Sequence, residues 1–325
     1  MREPLLELQD VTIALRAGNR PMVSGVGLSV HAGEVFGLVG ESGSGKTLLT
    51  RTVFGLQDDS YLSAGTVRFA GKSLPLAKHA KAARRLLGGQ IGFVPQDPFS
   101  SLNPTMRVGD QITEALYLSK RMPMNTKSTR DAAIAVLNEV GIPEPDLAFR
   151  QFPDQFSGGM RQRIVFAIAL AQEPQLLIAD EPTTALDAIT QRRVIELILD
   201  RCRTRGMAVI LISHNLELLR QSVDRLAVLY GGQLHNIMAA AAIGHQTIHP
   251  YAEALFACIP SRDKSLTDIR AIRGEPVGAG FGLKGCAFAP RCHYAEERCR
   301  SDELPRNNGA GDSFTACLLG LGDSG

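Results

Sequence analysis

The run from Gly40 to Thr47 constrains the fold of this chain more than any other feature. Its letters, Gly-Glu-Ser-Gly-Ser-Gly-Lys-Thr, fit G-x-x-x-x-G-K-[ST] and lie between a strand pattern over Glu34–Val39 and a helical pattern over Lys46–Leu56. Glycines let successive N–H groups turn toward phosphate oxygens, and the helix N-terminus adds partial positive charge. We predict a phosphate-binding loop in which Lys46 contacts the β- and γ-phosphates and Thr47 ligates Mg²⁺. Its eight nucleotide-contacting residues are Gly40, Glu41, Ser42, Gly43, Ser44, Gly45, Lys46 and Thr47.

Short apolar runs alternate with helical patterns along most of the chain, which predicts an α/β fold. The strand candidates are Leu5–Leu15, Glu34–Val39, Ile91–Val94, Gln175–Ala179, Met207–Ile212 and Leu226–Tyr230. The helix candidates are Lys46–Leu56, Val108–Leu118, Thr129–Val140, Gly159–Ala171 and Ala188–Cys202. Because helical patterns crowd between residues 97 and 171, we expect a helical insertion there. After Tyr230 the residue composition changes. From Arg273 onward Gly, Pro and Cys are frequent, which predicts a smaller, loop-rich unit.

Composition narrows the class of protein. The chain has 325 residues, with 35 Lys and Arg against 33 Asp and Glu, so it lacks the basic excess of a nucleic-acid binder. The apolar fraction of 44% excludes large-scale disorder, and no run approaches the roughly 20 apolar residues that cross a bilayer. The first four residues do not resemble a signal peptide, so we expect a cytosolic chain with reduced thiols.

Two further segments have residues that would complete a nucleotide site together with the phosphate loop. Asp180 and Glu181 end an apolar strand, where ligands of α/β sheets bind, so one carboxylate can reach Mg²⁺ and the other can orient water. Ser157 precedes two glycines and a helical pattern, and as an N-cap it would leave the first amides open to an anion. The chain thus has two anion-binding helix ends, one after the phosphate loop and one at Ser157, but only one phosphate loop. This suggests that another subunit supplies a phosphate loop and a helix end of its own.

The order of these motifs resembles the ATP-binding subunit of ABC transporters over about residues 5–234. Ser157-Gly-Gly-Met-Arg-Gln162 is similar to the family's signature motif, and Val94-Pro95-Gln96 to its Q-loop. Ala185-Leu186-Asp187 is similar to the D-loop, and Ile212-Ser213-His214 to the switch histidine. The resemblance implies a P-loop NTPase core with an antiparallel β subdomain and a helical insertion. It divides the chain into a nucleotide-binding domain over residues 1–234, with the helical subdomain at about 97–171, and a C-terminal extension over residues 235–325.

The resemblance also implies roles for residues. Gln96 and Asp180 join Thr47 around Mg²⁺, Glu181 polarises the attacking water, and His214 binds the γ-phosphate. Glu181, His214, Lys46 and Gln96 form the catalytic set, while Ser157, Gly158, Gly159 and Asp187 contact nucleotide, the signature residues doing so on a partner subunit. Two positions depart from the family: Leu15 stands where an aromatic ring stacks on adenine, and Asn215 stands where Asp is usual.

Other segments resemble the oligopeptide, dipeptide and nickel importer branch. These are Asp97–Pro104, His249-Pro250-Tyr251, and Gly285–Cys292 with Cys299 and Cys317 after it. The branch implies an ATPase that energises a membrane importer of peptides or related small solutes, nickel or metal chelates included. It also implies a second ABC ATPase subunit (a paralogue or a second copy), two transmembrane permease subunits and an extracytoplasmic substrate-binding protein, with no nucleic acid. The chain would then lie peripherally on the cytoplasmic face of the cell membrane.

Four cysteines near the C-terminal end, Cys286, Cys292, Cys299 and Cys317, are spaced C-x5-C-x6-C-x17-C. The spacing matches neither zinc ribbons nor ferredoxins. Some members of the similar branch hold a [4Fe–4S] cluster at this motif, which makes the four thiols candidate ligands. Zinc, or thiols without metal, stay open as alternatives.

Two other functions compete with the transporter hypothesis. A soluble ABC protein of translation or DNA repair typically has two cassettes or a long coiled coil, and this chain shows neither. A non-hydrolysing regulatory module that binds ATP is disfavoured by the presence of Glu181.

Overall fold

The computed structural model describes residues 3–57, 59–76, 86–119, 122–124, 126–182, 188–243, 249–258, 272–278, 284–305 and 313–318. The chain packs as two compact units. The first contains Met1–His31, Phe36–Ala83 and Ser213–Gly325, and the second contains Ala32–Val35 and Arg84–Ile212. Within the described ranges, no helix is both long and apolar enough to cross a lipid bilayer.

The strands are β1 (Leu6–Leu15), β2 (Arg20–Val30), β3 (Val35–Val39), β4 (Tyr61–Phe69), β5 (Lys72–Leu74), β6 (Ile91–Val94), β7 (Leu176–Asp180), β8 (Ala208–Ile212), β9 (Arg225–Tyr230), β10 (Gln233–Ala239) and β11 (Phe314–Thr315). The α-helices are α1 (Lys46–Val53), α2 (Pro98–Ser101), α3 (Val108–Leu118), α4 (Lys127–Glu139), α5 (Pro145–Ala148), α6 (Gly158–Ala171), α7 (Ala188–Arg205), α8 (Leu216–Ser222), α9 (Pro250–Ala257) and α10 (Arg298–Ser301).

The first unit is built on strands in the order β5-β4-β1-β2-β10-β9-β3, with β11 beside β10. Strand β1 pairs antiparallel with both β2 and β4, whereas β3 pairs parallel with β9. Leu6, Leu8, Val11 and Ile13 of β1 are buried, so the inward period of two shifts by one residue after Leu8. The shift coincides with a break in register and with the positive φ of Asp10, +49°. A bulge there keeps both halves of the strand facing the core.

The second unit joins three parallel strands to the helical insertion. Strand β7 lies between β6 and β8, and its five residues are all buried, as expected for a parallel strand covered on both faces. Helices α3, α4 and α6 pack against one another, and α6 also contacts β6. Helix α6 therefore belongs to the insertion and connects it to β6.

Sequence patterns predicted the buried strands well. Strands β3, β6, β7, β8 and β9 lie within a residue of the predicted bounds, and helices α1, α3, α4, α6 and α7 within three. The predicted boundary between residues 234 and 235 falls inside β10, and the cysteine-rich segment belongs to the same compact unit as β1. The two-domain division therefore stays a prediction, and the packing divides the chain elsewhere.

Candidate functional site

The phosphate-loop sequence forms the turn between β3 and α1. The ammonium of Lys46 is buried and donates to the backbone oxygens of Gly40 and Glu41 at 2.8 and 2.9 Å and to Ser44 Oγ at 3.1 Å. Gly45 is the N-cap of α1, with φ +98°, a conformation that glycine adopts without strain. The loop thus curls around the Lys46 ammonium at the N-terminus of α1, which is the geometry that binds phosphate.

The end of β7 presents two carboxylates in different environments. Asp180 is 1% exposed, whereas Glu181 is half-buried and has φ +47°, rare for a residue with a side chain. The Glu181 N–H donates to Ile212 O at 2.9 Å, and its Oε2 accepts from Gln96 Nε2 at 2.9 Å. The structure therefore brings together the predicted Q-loop glutamine and the predicted catalytic glutamate, which are 85 residues apart.

The signature segment begins α6 as its sequence predicts. Ser157 is the N-cap, and its Oγ accepts from Met160 N at 3.4 Å, so the helix starts at Gly158. The Arg161 guanidinium donates to Phe156 O at 3.0 Å and lies 4.7 Å from the centre of the Phe99 ring. Ser157 itself is exposed, so this helix end is open to a ligand.

His214 follows β8 with an exposed side chain. The next residue, Asn215, caps α8, because its Oδ1 accepts from Leu218 N at 3.1 Å. The Asn215 N–H donates to Ser213 Oγ at 3.0 Å. An Asp would make the same cap, so the departure from the family at this position leaves the local structure intact.

The predicted nucleotide residues divide between the two compact units. The phosphate loop and His214 belong to the first unit, and Gln96, Ser157, Asp180 and Glu181 belong to the second. Gly158 and Gly159 lie in the first turn of α6, and Leu15 is the last residue of β1. Asp187 of the predicted D-loop lies outside the described residues.

The four C-terminal cysteines are neighbours in the first unit, and all are free thiols. The Cys286 N–H donates to Cys299 O at 2.7 Å. Burial raises the pKa of Cys286 to about 12, with smaller contributions from Cys292 and Cys299, and burial also raises the pKa of Cys292, with a contribution from Cys317. The motif residues therefore converge in space, and without metal Cys286 and Cys292 are protonated at neutral pH.

The same region contains two buried histidines that the sequence did not indicate as site residues. The rings of His235 and His249 lie 4.2 Å apart, and within the described chain only these two and Cys286 form a trio of potential metal-binding side chains whose ligand atoms lie within 4.8 Å of one another. Burial lowers the pKa of His249 to about 3 and, with the nearby His249, that of His235 well below its usual value. Both rings are therefore neutral.

Hydrogen bonding fixes the tautomer of His249. Its Nδ1 accepts from Tyr251 N at 3.1 Å, so the single ring proton of the neutral form lies on Nε2. That Nε2 lies 3.5 Å from Cys286 Sγ and faces it as a donor. A nitrogen that carries a proton has no lone pair for a metal, so His249 is better suited to hydrogen-bond the sulfur than to be a ligand.

Two C-terminal residues also reach the phosphate loop. Arg291 and Tyr251 both contact Glu41, through its carboxylate and its backbone N–H respectively. In the sequence, both residues indicate only a family branch, and no role was predicted for them. The charge of Arg291 beside Cys292 was the one available signal.

Comparisons with known families agree with the geometry. The ABC transporter family matches residues 23–184, and the oligopeptide/dipeptide transporter C-terminal region matches residues 237–299. Among solved structures, the dimeric ATP-binding cassette MJ0796 in a post-hydrolysis state with ADP and Pi aligns with a TM-score of 0.65 and 25% identity. The alignment covers 72% of this chain and 98% of that one.

Curated relatives are similar over nearly the whole chain. The dipeptide transport ATP-binding protein DppD of Escherichia coli (strain K12) is 39% identical over 304 residues, 93% of this chain and 92% of that protein. The oligopeptide transport ATP-binding protein OppD of Bacillus subtilis (strain 168) is 40% identical over 297 residues, 90% of this chain and 82% of that protein. The chain belongs to the ABC transporter ATPase family, and it has the C-terminal region of the oligopeptide/dipeptide transporters.

Proposed function

We propose that this chain is the ATP-hydrolysing subunit that energises a membrane importer of peptides or related small solutes. The observation that carries the proposal is the loop around Lys46, whose ammonium is held at the start of α1 by loop oxygens. Relatives named for dipeptide and oligopeptide transport support the solute class.

Each chemical role in this proposal has a residue of the required type. Thr47, Gln96 and Asp180 are the proposed Mg²⁺ ligands, and the ion neutralises phosphate charge when bound. Glu181 orients and polarises the attacking water, and His214 donates to the γ-phosphate. This division fits phosphoryl transfer, in which positioning and charge stabilisation do most of the work.

The signature helix acts on a second subunit in this proposal. Ser157, Gly158 and Gly159 would contact the γ-phosphate held by a partner ATPase, which would be a paralogue or a second copy. The exposed Ser157 supports this role, since an N-cap hydroxyl and the first amides of α6 bind an anion together. Asp187 of the D-loop is proposed to contact nucleotide at the same dimer contact. Hydrolysis would therefore wait for two subunits to close.

We propose that the helical insertion docks on two transmembrane permease subunits at the cytoplasmic face of the membrane. Its exposed apolar side chains support this: Tyr117, Leu118, Leu147 and Phe152 are 49%, 61%, 52% and 37% exposed. If these side chains form one contiguous patch, that patch would favour a protein partner. A substrate-binding protein outside the membrane would deliver the solute.

The test is purification of the tagged full chain from membranes in mild detergent, with an untagged strain as control. We expect two integral membrane proteins and an ABC ATPase chain to co-purify, and peptide with its binding protein to raise the ATPase rate of the complex. Recovery with ribosomes or DNA-repair proteins, or with no membrane protein, would refute the importer and favour the competing soluble function.

We also propose that the cysteine motif holds a [4Fe–4S] cluster, as in the similar branch. Four free thiols that lie together, three of them buried, fit its ligand chemistry. Cys286, Cys292, Cys299 and Cys317 would hold the cluster as thiolates, and zinc is the alternative that elemental analysis distinguishes from it. The cluster would cross-link a segment with little core of its own.

We expect the anaerobically purified chain to be brown and to contain about four iron atoms. Replacing Cys286 or Cys299 with Ser should remove most of the iron, because each variant loses one thiolate ligand. Cys258→Ser is the matched control, since Cys258 caps α9 and donates to Ala254 O at 3.2 Å, outside the motif. Iron and zinc are measured by elemental analysis, and a colourless, iron-free wild-type chain that stays folded would contradict the cluster.

A further inference from the structure

The first variable residue of the phosphate loop, Glu41, is held by the C-terminal extension. Arg291 Nη1 lies 2.7 Å from Glu41 Oε2, and the Arg291 side chain is only 4% exposed. The Tyr251 hydroxyl accepts from the Glu41 N–H at 3.0 Å. Glu41 is therefore fixed by two residues that lie far along the chain. Tyr251, 210 residues later, holds its backbone, and Arg291, 250 residues later, holds its side chain.

The guanidinium is itself rigidly placed. Arg291 Nε donates to Arg273 O at 2.8 Å, and Nη2 donates to Ile272 O at 3.2 Å. Nη1 also donates to the Tyr230 hydroxyl at 3.0 Å, and the group lies 5.6 Å from the centre of that ring. A planar donor fork with all three nitrogens engaged loses little further freedom when it pairs with a carboxylate.

Aromatic packing fixes the second contact. The Tyr251 ring lies 4.5 Å from that of Tyr230 and 5.1 Å from that of Phe288, and Tyr251 is completely buried. Its hydroxyl cannot turn away from Glu41 without disturbing this cluster. The pKa of Tyr251 is raised mainly by burial, so the hydroxyl stays neutral.

The two contacts bear on nucleotide binding through charge and through backbone shape. A carboxylate beside a triphosphate repels it, and the neighbouring guanidinium compensates that charge where burial limits screening by salt. The Glu41 backbone oxygen also accepts from the Lys46 ammonium at 2.9 Å, so fixing Glu41 helps to fix the lysine.

We propose that Arg291 and Tyr251 are positioning residues of the phosphate loop, through which the C-terminal extension sets the affinity for ATP. The inference rests on the proposed function, since it concerns the same nucleotide site. Neither residue touches the reacting atoms, so both act mainly on nucleotide binding and less on turnover at saturation.

The test compares ATP dissociation constants, KM and kcat for the full chain and its variants. Arg291→Met keeps much of the side-chain length and should weaken ATP binding about tenfold, with kcat changed less than threefold. The double variant with Glu41→Gln should recover most of that loss, because the unpaired carboxylate is gone. A merely structural role for Arg291 would show no such rescue.

Tyr251→Phe is a second variant that keeps the inference testable if Arg291→Met does not fold. It should fold because it removes only one hydroxyl and keeps the packed ring. It should weaken ATP binding about fivefold and leave the melting temperature within a few degrees. Unchanged ATP affinity in both Arg291→Met and Tyr251→Phe would overturn the inference. Lys46→Ala separates the two proposals: wild-type protein that binds ATP no better than Lys46→Ala would refute the nucleotide site itself.

Discussion

Glu181→Gln is expected to lower ATP turnover about 100-fold or more while ATP still binds. The substitution keeps the size of the side chain and its capacity to accept from Gln96 Nε2, which lies 2.9 Å from Glu181 Oε2. It removes the negative charge and the basic oxygen that can take a proton from water. Because Lys46 and its loop are untouched, nucleotide affinity should stay within a few-fold of the wild type.

The backbone of Glu181 also fixes the direction of its side chain. Its φ of +47° costs roughly 1–3 kcal/mol for a residue with a side chain, so the surrounding structure must hold this turn in place. The N–H donates to Ile212 O at 2.9 Å, which fixes the unusual turn directly after buried Asp180. The side chain is therefore aimed by the main chain as well as by Gln96.

Glu173→Gln is the matched control for this experiment. Glu173 also has a positive φ, +44°, and belongs to the same compact unit, but its carboxylate lies 3.5 Å from Arg205 in an exposed ion pair. Exposed pairs contribute at most about 1 kcal/mol, so turnover should be unchanged. The measurements are phosphate release at saturating ATP and binding of a fluorescent nucleotide. Wild-type turnover in Glu181→Gln would remove that residue from the mechanism and favour the regulatory alternative.

Local chemistry explains why much of the site was predictable. The loop over residues 40–47 needs only a strand before it and a helix after it, and both signals lie within about 20 residues of sequence. Ser157 is likewise a local signal, because an N-cap depends on the residue and the next turn. The structure confirms the loop's position between β3 and α1 and the start of α6.

Contacts between distant residues were beyond such reasoning. The pairing of β1 with β4 and the bulge near Asp10 depend on partners about 50 residues away. The ion pair between Glu41 and Arg291 joins residues 250 positions apart, and no hydrophobic periodicity in the sequence predicts it. His235 was equally hidden, since a single histidine in an apolar strand gives no sign of the buried ring beside it. Tertiary packing alone brings these groups together.

Gly40→Ala is expected to lower stability more than alanine at either of the other two glycines of the phosphate loop, Gly43 and Gly45. Gly40 has φ +152°, and a Cβ there would lie 2.0 Å from Leu229 O and 2.8 Å from Ser44 Oγ. The first contact is with backbone of strand β9, which is paired along its length and cannot move aside cheaply. We expect a loss of about 3 kcal/mol or more, because overpacking against a fixed backbone adds to conformational strain.

Gly43→Ala separates the steric effect from the conformational one. Gly43 lies in the same loop with φ +75°, but a Cβ there would meet nothing within 4 Å. Its cost should be only the left-handed conformation, about 1–2 kcal/mol. Thermal unfolding should therefore place Gly40→Ala at least a few degrees below Gly43→Ala. Gly40→Ala should also lose ATP binding, since the Gly40 backbone oxygen accepts from Lys46 Nζ at 2.8 Å and moves with the displaced turn. Equal melting temperatures for the two variants would show that the loop can shift away from β9. The short distance between Gly40 and Leu229 O would then not determine the shape of the loop.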